Sequence, residues 1–285
     1  MSTTRQQEFQ NWLYYYLKRN VTNVIWSGEE YKMRDEGVSE LVHQLWSMYD
    51  IEYCDVSGNA IGIEGLRLLL GVLFRPTMMV NTLVLTNNII GDVGAEELLT
   101  VLQSNSTLTM LALEKNNIGN VGAKSIRDLL LANTTLTDID LSGNNIGNEG
   151  LKELMSAFKT NTTLKNLFLN ENSIDDKGVE IISDALLTNI TLTRLSVCRN
   201  YITDVGANVI ITLIQNNATL ENIECSDNYI SEIKEEEVNT AIYDPSTSFR
   251  RIIIASIICN DAFEVPIPHR IWKEILSFLE INEFL

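Results

Sequence analysis

Residues 136–146 read LTDIDLSGNNI, and the pattern in this stretch decides the fold. Residues 108–118 read LTMLALEKNNI, and similar copies begin at Leu164, Leu192 and Leu220, always 28 residues apart. Units that recur at so short and fixed a period cannot each bury an apolar core of their own. The repeat therefore predicts a stack of similar units that share one continuous core.

Each copy has the same arrangement of apolar residues. If the first apolar residue is numbered position 1, positions 4, 6 and 11 are also aliphatic, as in Leu136, Ile139, Leu141 and Ile146. The spacing of positions 4 and 6 predicts a short strand with one buried face. Apolar residues recur at helical spacing later in each copy, which predicts one helix per repeat. A looser copy begins at Ile51.

Position 9 is asparagine in every copy. A side-chain amide offers two donors and one acceptor, so it can bond backbone groups of its own repeat and of the next. Leaving such buried groups unpaired would cost about 1–3 kcal/mol each. The sequence thus predicts a structural asparagine ladder made of Asn59, Asn88, Asn116, Asn144, Asn172, Asn200 and Asn228.

Two further polar positions recur with the repeat. Position 13 carries residue types that favour the N-cap of a helix, namely Asp92, Asn120, Asn148, Asp176 and Asp204. Each helix is predicted to end near an asparagine, a residue that tolerates the left-handed conformation, at Asn105, Asn133, Asn161, Asn189 and Asn217. These five also lie in N-x-S/T sequons, but their periodicity favours a structural role over glycosylation.

The pattern LxxLxLxxNxI resembles the ribonuclease-inhibitor class of leucine-rich repeats, over about residues 51–230. That class includes the sensor ends of NOD-like receptors, the Ran GTPase-activating protein and tropomodulin. The resemblance implies an α/β solenoid, or horseshoe, with parallel strands on the concave face and helices on the convex face. It implies a protein-binding role without naming a partner, because the class hosts many functions.

Solenoids need caps at both ends, because an open end exposes core. We expect residues 1–50 to form an N-terminal capping helix and a degenerate repeat. Residues 51–247 form the leucine-rich repeats in this scheme. Residues 248–285 are expected to form a C-terminal degenerate repeat and a capping helix.

The C-terminal segment allows a second interpretation. Residues 267–285 resemble the opening of an F-box, the module that docks substrate receptors onto cullin-type ubiquitin ligases. The candidate docking residues are apolar and helically spaced: Ile271, Trp272, Ile275 and Phe278. The chain would then be a substrate receptor, whereas the plainer interpretation is a cap.

Composition narrows the partners. The 285-residue chain is 45% hydrophobic and carries a net charge of −17, which disfavours binding to phosphate backbones. Its start lacks a signal-peptide core and no apolar run is long enough to cross a membrane. Four cysteines without a predicted pairing fit a reducing compartment. We therefore expect a cytoplasmic protein without a membrane or nucleic-acid partner.

Residues suited to catalysis are sparse. The two histidines, His43 and His269, lie far apart in the sequence, and neither has metal-ligand spacing with another His or Cys. No Walker loop, GxSxG or HExxH motif occurs. The sequence therefore predicts no catalytic, cofactor-binding or metal-binding residues. A regulator of a small GTPase, similar to the Ran GTPase-activating protein, stays open, with Lys115 and Arg199 as cations just before ladder asparagines.

The concave face is the predicted partner-binding surface, and it is formed by positions 2, 3, 5, 7 and 8 of each repeat. Aromatic and Met residues among charges are typical of interfaces. Phe168 and Tyr53 are the expected hot spots. The predicted partner is a protein, and the chain itself is expected to be a monomer or weak oligomer. The candidate residues are Tyr53, Val84, Met110, Glu114, Asp138, Asp140, Phe168, Arg194 and Arg199.

Overall fold

The structure is a computed structural model that describes residues 22–26, 28 and 32–243. The predicted N-terminal helix and the segment from residue 248 lie outside these ranges, so their predicted roles as caps stay predictions. The same holds for the F-box-like residues Ile271, Trp272, Ile275 and Phe278.

Eight parallel strands of three residues each form one sheet in the described part of the chain, and every strand pairs with its sequence neighbours. The middle residue of each strand is position 4 of its repeat and is buried, whereas most of the flanking residues face outward. This alternation follows from the period-2 geometry of a strand. The strands are β1 (Asn23–Ile25), β2 (Tyr53–Asp55), β3 (Thr82–Val84), β4 (Met110–Ala112), β5 (Asp138–Asp140), β6 (Asn166–Phe168), β7 (Arg194–Ser196) and β8 (Asn222–Glu224).

One helix follows each strand. In the helix after β4, Ala123, Ile126, Leu129 and Leu130 are buried, which is the helical spacing seen in the sequence. A short 3₁₀ helix at Ala157–Lys159 extends the helix after β5. The helices are α1 (Arg34–Leu45), α2 (Ile63–Leu73), α3 (Gly91–Leu102), α4 (Asn120–Ala132), α5 (Asn148–Ser156), α6 (Asp176–Leu186), α7 (Asp204–Asn216) and α8 (Glu232–Tyr243).

The core lies between the strand layer and the helix layer and runs through all the described repeats. Leu136, Ile139, Leu141 and Ile146, at positions 1, 4, 6 and 11, are completely buried, as are their counterparts in most other repeats. Helices contact the helices of adjacent repeats, and strands contact adjacent strands. The predicted α/β solenoid of leucine-rich repeats is therefore confirmed.

The asparagines at position 9 join neighbouring repeats. The Nδ2 of Asn200 donates to the carbonyl oxygens of Leu169 at 3.0 Å and Val197 at 3.1 Å. Its Oδ1 accepts from the backbone N–H groups of Asn172 and Ile174, both at 3.1 Å. All seven ladder asparagines donate to a carbonyl of the preceding repeat. Asn144 and Asn228 are half-buried, whereas the other five are buried.

Position 13 does not supply N-caps, contrary to the sequence prediction. Asp176 is the first residue of α6, and its Oδ1 accepts from the N–H groups of Thr203 at 2.8 Å and Gly206 at 3.0 Å, at the start of α7. Asp92 bonds Gly119 and Gly122 at the start of α4 in the same way. These side chains therefore satisfy the first N–H groups of the next repeat's helix.

The asparagines at the helix ends are also not left-handed, so that prediction was wrong. Asn217 follows α7 with φ −86° and ψ 134°, which is extended backbone leading toward the next strand. Its Nδ2 donates to the carbonyl of Leu186 in the preceding repeat at 2.6 Å. Its Oδ1 accepts from the N–H groups of Thr219 and Leu220 at 2.8 and 2.6 Å. Asn133, Asn161 and Asn189 make equivalent bonds and form a second amide ladder.

The glycine at position 15 permits close contact between consecutive repeats. A Cβ added to Gly178 would lie 2.6 Å from the Oδ1 of Asn148 and 2.6 Å from the Cγ2 of Ile174. Real Cβ atoms do not approach other atoms so closely. The polar residue at position 13 and the glycine at position 15 therefore work as a pair across the boundary between repeats.

Candidate partner-binding surface

The parallel register of the sheet arranges outward side chains in rows across its outward side, which is the face that the solenoid class predicts to be concave. Position 3 of each repeat forms one row: Asn23, Tyr53, Thr82, Met110, Asp138, Asn166, Arg194 and Asn222. Position 5 forms a second row: Ile25, Asp55, Val84, Ala112, Asp140, Phe168, Ser196 and Glu224.

The predicted interface residues lie in these rows or in the turns that follow the strands. Met110, Arg194 and Arg199 are exposed, whereas the other six candidates are half-buried among their row neighbours. Ala112 shares the position-5 row but is only 5% exposed, because larger side chains stand on both sides of it. Whether these residues bind a partner stays a prediction.

Five side chains at the middle of the sheet make up what we term the central patch: Met110, Ala112, Asp138, Asp140 and Phe168. Met110 pairs in register with Asp138, and Asp140 pairs with Ala112 on one side and Phe168 on the other. Neighbouring strands lie about 4.8 Å apart, so these side chains are adjacent. The patch thus combines three apolar side chains with two carboxylates.

The two carboxylates of the central patch have hydrogen-bond donors but no salt bridge. Asp140 accepts from the backbone N–H of Ser142 at 2.8 Å, and Asp138 accepts from the hydroxyl of Thr137 at 2.6 Å and from the amide of Asn166. No lysine or arginine within the described ranges comes within ion-pair distance of either.

Burial is the main reason that the pKa of Asp140 is raised above its usual value. Hydrogen bonds from Ser142 and the charge of Lys115 oppose this rise in the pKa, and the charge of Glu114 adds to it. Burial therefore makes the ionised form of Asp140 less favourable in the folded protein than in water.

An ion-pair chain lies along the edge where the polypeptide leaves the strands, at position 8 of four repeats, and Gly143 holds that position between Lys115 and Glu171. The Arg199 guanidinium lies 2.7 Å from Glu171 and 3.2 Å from Asp227, and Lys115 lies 3.8 Å from Glu171. Lys115 also pairs with Glu114 at 2.7 Å. Hydrogen bonding from Arg199, followed by the charge of Lys115, lowers the pKa of the Glu171 carboxyl.

The backbone at position 8 has a positive φ in every described repeat from Gly58 onward. Lys115, Glu171 and Arg199 hold φ values of 54°, 52° and 54°. This left-handed region costs a residue with a side chain about 1–2 kcal/mol of conformational free energy, whereas glycine adopts it without that cost. The residues of the ion-pair chain therefore hold their positions in spite of backbone strain.

Gly143 has a role in the ion-pair chain that its sequence context did not reveal. It stands at position 8 between Lys115 and Glu171, and a Cβ there would lie 2.5 Å from the Cγ of Lys115. Its lack of a side chain leaves room for Lys115 to pass toward Glu171, two repeats away. In the sequence, the one sign of this ion-pair chain was that charges of opposite sign alternate at position 8 across the repeats. Gly143 is the uncharged residue that interrupts this alternation.

The part of the chain that the structure describes has little that points to metal or membrane chemistry. No group of three or more His, Cys, Asp or Glu side chains in it is placed to hold a metal ion. None of its helices is both long and apolar enough to cross a membrane. Its cysteines, Cys54, Cys198 and Cys225, are free thiols. Burial raises the pKa of Cys54 and of Cys225 to about 12.

One parallel sheet backed by helices, with side-chain amides joining the units, defines an α/β solenoid of the repeat-protein class. The family model for the leucine-rich repeat matches four consecutive segments, residues 78–99, 104–126, 132–155 and 160–183. The chain therefore contains leucine-rich repeats, and such repeats indicate a protein-interaction module. No curated protein matches the chain.

The chain is similar to two solved structures, each with a TM-score below 0.5. The actin-binding site 2 of leiomodin-1 is 21% identical, with a TM-score of 0.47 over 59% of this chain and 96% of that chain. The C-terminal domain of tropomodulin from Caenorhabditis elegans is 13% identical, with a TM-score of 0.43 over 58% of this chain and 98% of that chain.

Proposed function

We propose that the chain is a non-enzymatic recognition module of the ribonuclease-inhibitor type that binds a protein partner on its concave face. The observation that carries the proposal is the central patch, where exposed Met110 and half-buried Phe168 stand beside carboxylates that lack a salt bridge. Aromatic and Met side chains are enriched in interfaces relative to the rest of the protein surface.

The two carboxylates on the concave face are in an environment that does not favour their charge, and folding alone does not explain why they are there. Asp138 and Asp140 face the same side of one strand, and neither carboxylate has an ion-pair partner among the described residues. Burial, with a smaller contribution from the charge of Glu114, raises the pKa of Asp140, so the environment of its charge is unfavourable. Costs of this kind are kept at functional sites and offset elsewhere in the structure.

We place the module in the cytoplasm, as a monomer or weak oligomer without a membrane or nucleic-acid partner. The three cysteines within the described ranges are free thiols, two of them buried, which suits a reducing compartment. The net charge of −17 opposes contact with phosphate backbones. The same charge disfavours association between copies at low salt.

The two alternatives stay predictions. The ubiquitin-ligase interpretation depends on residues 267–285, which lie outside the described ranges. The GTPase-regulator interpretation depends on Lys115 and Arg199, and both cations are paired with Glu171. Neither interpretation has an observation that favours it over binding at the central patch.

Affinity purification of the tagged full chain from its native cells tests the proposed surface. We compare the wild-type protein with the double variant Met110→Ser/Phe168→Ser, which removes the apolar part of the central patch. The matched control is Val93→Ser/Val121→Ser, which removes two exposed apolar side chains from helices α3 and α4. Circular dichroism confirms that each variant is folded.

We expect the patch variant to lose its specific partner by about ten-fold or more, as for a hot-spot pair. The control variant should retain that partner within about two-fold. Equal recovery of partners by the two variants, with both folded, would show that the concave face is not the binding surface.

A further inference from the structure

We infer that the central patch takes a basic segment of the partner, with a lysine or arginine seated between Met110 and Phe168 and bound to Asp138 and Asp140. This inference rests on the proposed function, because it assumes that the concave face binds a protein. It goes further by naming the chemistry of the bound segment.

The first observation is the uneven distribution of charge along the concave face. Around β2 to β5 the carboxylates of Asp55, Asp138 and Asp140 have no ion-pair partner among the described residues. The nearby cation, Lys115, is engaged by Glu114 and Glu171. This half of the face therefore carries a net negative potential that a basic ligand would neutralise.

The other half of the face already balances most of its charge. Arg199 lies between Glu171 and Asp227 and pairs with both. The exposed Arg194 stands two strands away from Asp138, with Asn166 between them. A basic segment is therefore attracted to the central patch and not to the surface around β7.

The second observation is the geometry of the apolar side chains. Asp138 and Asp140 are two residues apart on one strand, so their side chains emerge about 7 Å apart on the same face. Met110 lies beside Asp138, and Phe168 lies beside Asp140. Small, buried Ala112 completes the square between Met110 and Asp140.

This square fits the two parts of a long basic side chain. The methylene stem of lysine or arginine packs against apolar surface while the charged end reaches the carboxylates. An arginine can also lie over the ring of Phe168, because an aromatic face attracts a cation. An acidic segment is excluded, since it would bring a third negative charge next to Asp138 and Asp140.

Selection from a random 12-residue phage-displayed peptide library on the immobilised full chain tests the inference. The selected peptides are synthesised, and their affinities are measured for the wild type and three variants. Asp138→Asn/Asp140→Asn removes the two charges but keeps their shape. Glu180→Gln/Asp184→Asn removes the same number of charges from the exposed face of α6. Met110→Ser/Phe168→Ser is the third variant.

We expect the selected peptides to be enriched in lysine or arginine next to an apolar residue. Asp138→Asn/Asp140→Asn should weaken their binding about ten-fold or more, and the α6 variant by less than about two-fold. Enrichment without basic residues would overturn the inference. An equal loss in both charge variants would also overturn it, because binding would then follow the net charge alone.

The outcomes separate this inference from the proposed function. If the peptides are neutral or acidic but still depend on Met110 and Phe168, the concave face binds a partner and the basic chemistry is wrong. If binding depends on none of these residues, or if no peptide is selected, the result counts against both.

Discussion

At the residue scale, the side chain of Asn200 bonds five backbone groups that belong to two neighbouring repeats. Its replacement leaves carbonyl and N–H groups buried without partners, each at about 1–3 kcal/mol. We therefore expect Asn200→Ala to lower the free energy of unfolding by about 3–5 kcal/mol, measured by urea denaturation.

Asn145 provides the matched control for this substitution. It is one residue after the half-buried ladder residue Asn144, its side chain is exposed, and Asn145→Ala should change the free energy of unfolding by less than about 0.5 kcal/mol. Similar losses in the two variants would mean that the ladder amide has no special part in stability.

The residues of the ladder could be recognised from the sequence because Asn recurs where each strand ends. The charged chain at position 8 could be recognised only in part. Lys115 and Arg199 stood out as cations, but the direction of their side chains depends on the positive φ and on the space above Gly143. Neither property has a signature in a single sequence.

At the scale of the element, the start of each helix depends on the repeat before it. Gly178 at the start of α6 approaches Asn148 and Ile174 so closely that a methyl group has no room. We expect Gly178→Ala to lower the free energy of unfolding by about 2–4 kcal/mol in urea denaturation, because the backbone or its neighbours must shift.

Gly71 supplies a contrast within another helix. It lies inside α2, and an added Cβ there would meet nothing within 4 Å. Gly71→Ala should raise the free energy of unfolding by about 0.5–1 kcal/mol, because alanine favours the helix. If Gly178→Ala is as stable as Gly71→Ala, the close contact between repeats is not needed.

The helices themselves were predictable from their apolar spacing, but the partners of their first turns were not. Asp or Asn near a helix start can bond the N–H groups of its own helix or those of an adjacent helix. The sequence favoured the first option for Asp176 and the structure shows the second. The choice depends on the stacking distance between repeats, which a residue type does not encode.

At the scale of the whole molecule, each described repeat contacts mainly the repeats beside it. Stability in such an array is approximately a sum of local terms. We expect a chain without residues 136–163, one full period of 28 residues, to fold with an unchanged shape of its circular dichroism spectrum. Its urea unfolding should stay cooperative at a lower free energy.

Removal of only half a period, residues 136–149, is the control. This deletion joins a strand-entry segment directly to the first turn of α5, so the repeat loses its strand and its ladder asparagine. It should abolish the cooperative transition. A full-period deletion that also fails to fold would show that the middle repeats are not interchangeable units.

The architecture of the whole molecule could be predicted because the same pattern of apolar residues and asparagines recurs in each repeat. The partner could not, because the composition of the concave face differs from repeat to repeat. The central patch depends on which side chains become neighbours across strands, as Asp140 and Phe168 do. Only the paired register of β5 and β6 places them together.

The second amide ladder has a consequence for where this chain can be made. Asn133, Asn161, Asn189 and Asn217 are at most 7% exposed, and their amide nitrogens are bonded within the core. Each also sits in an acceptor sequence for oligosaccharyltransferase, which modifies chains before they fold. A sugar on any of these nitrogens would keep two neighbouring repeats from packing together. Expression through a secretory pathway that glycosylates these sites would therefore prevent the protein from folding.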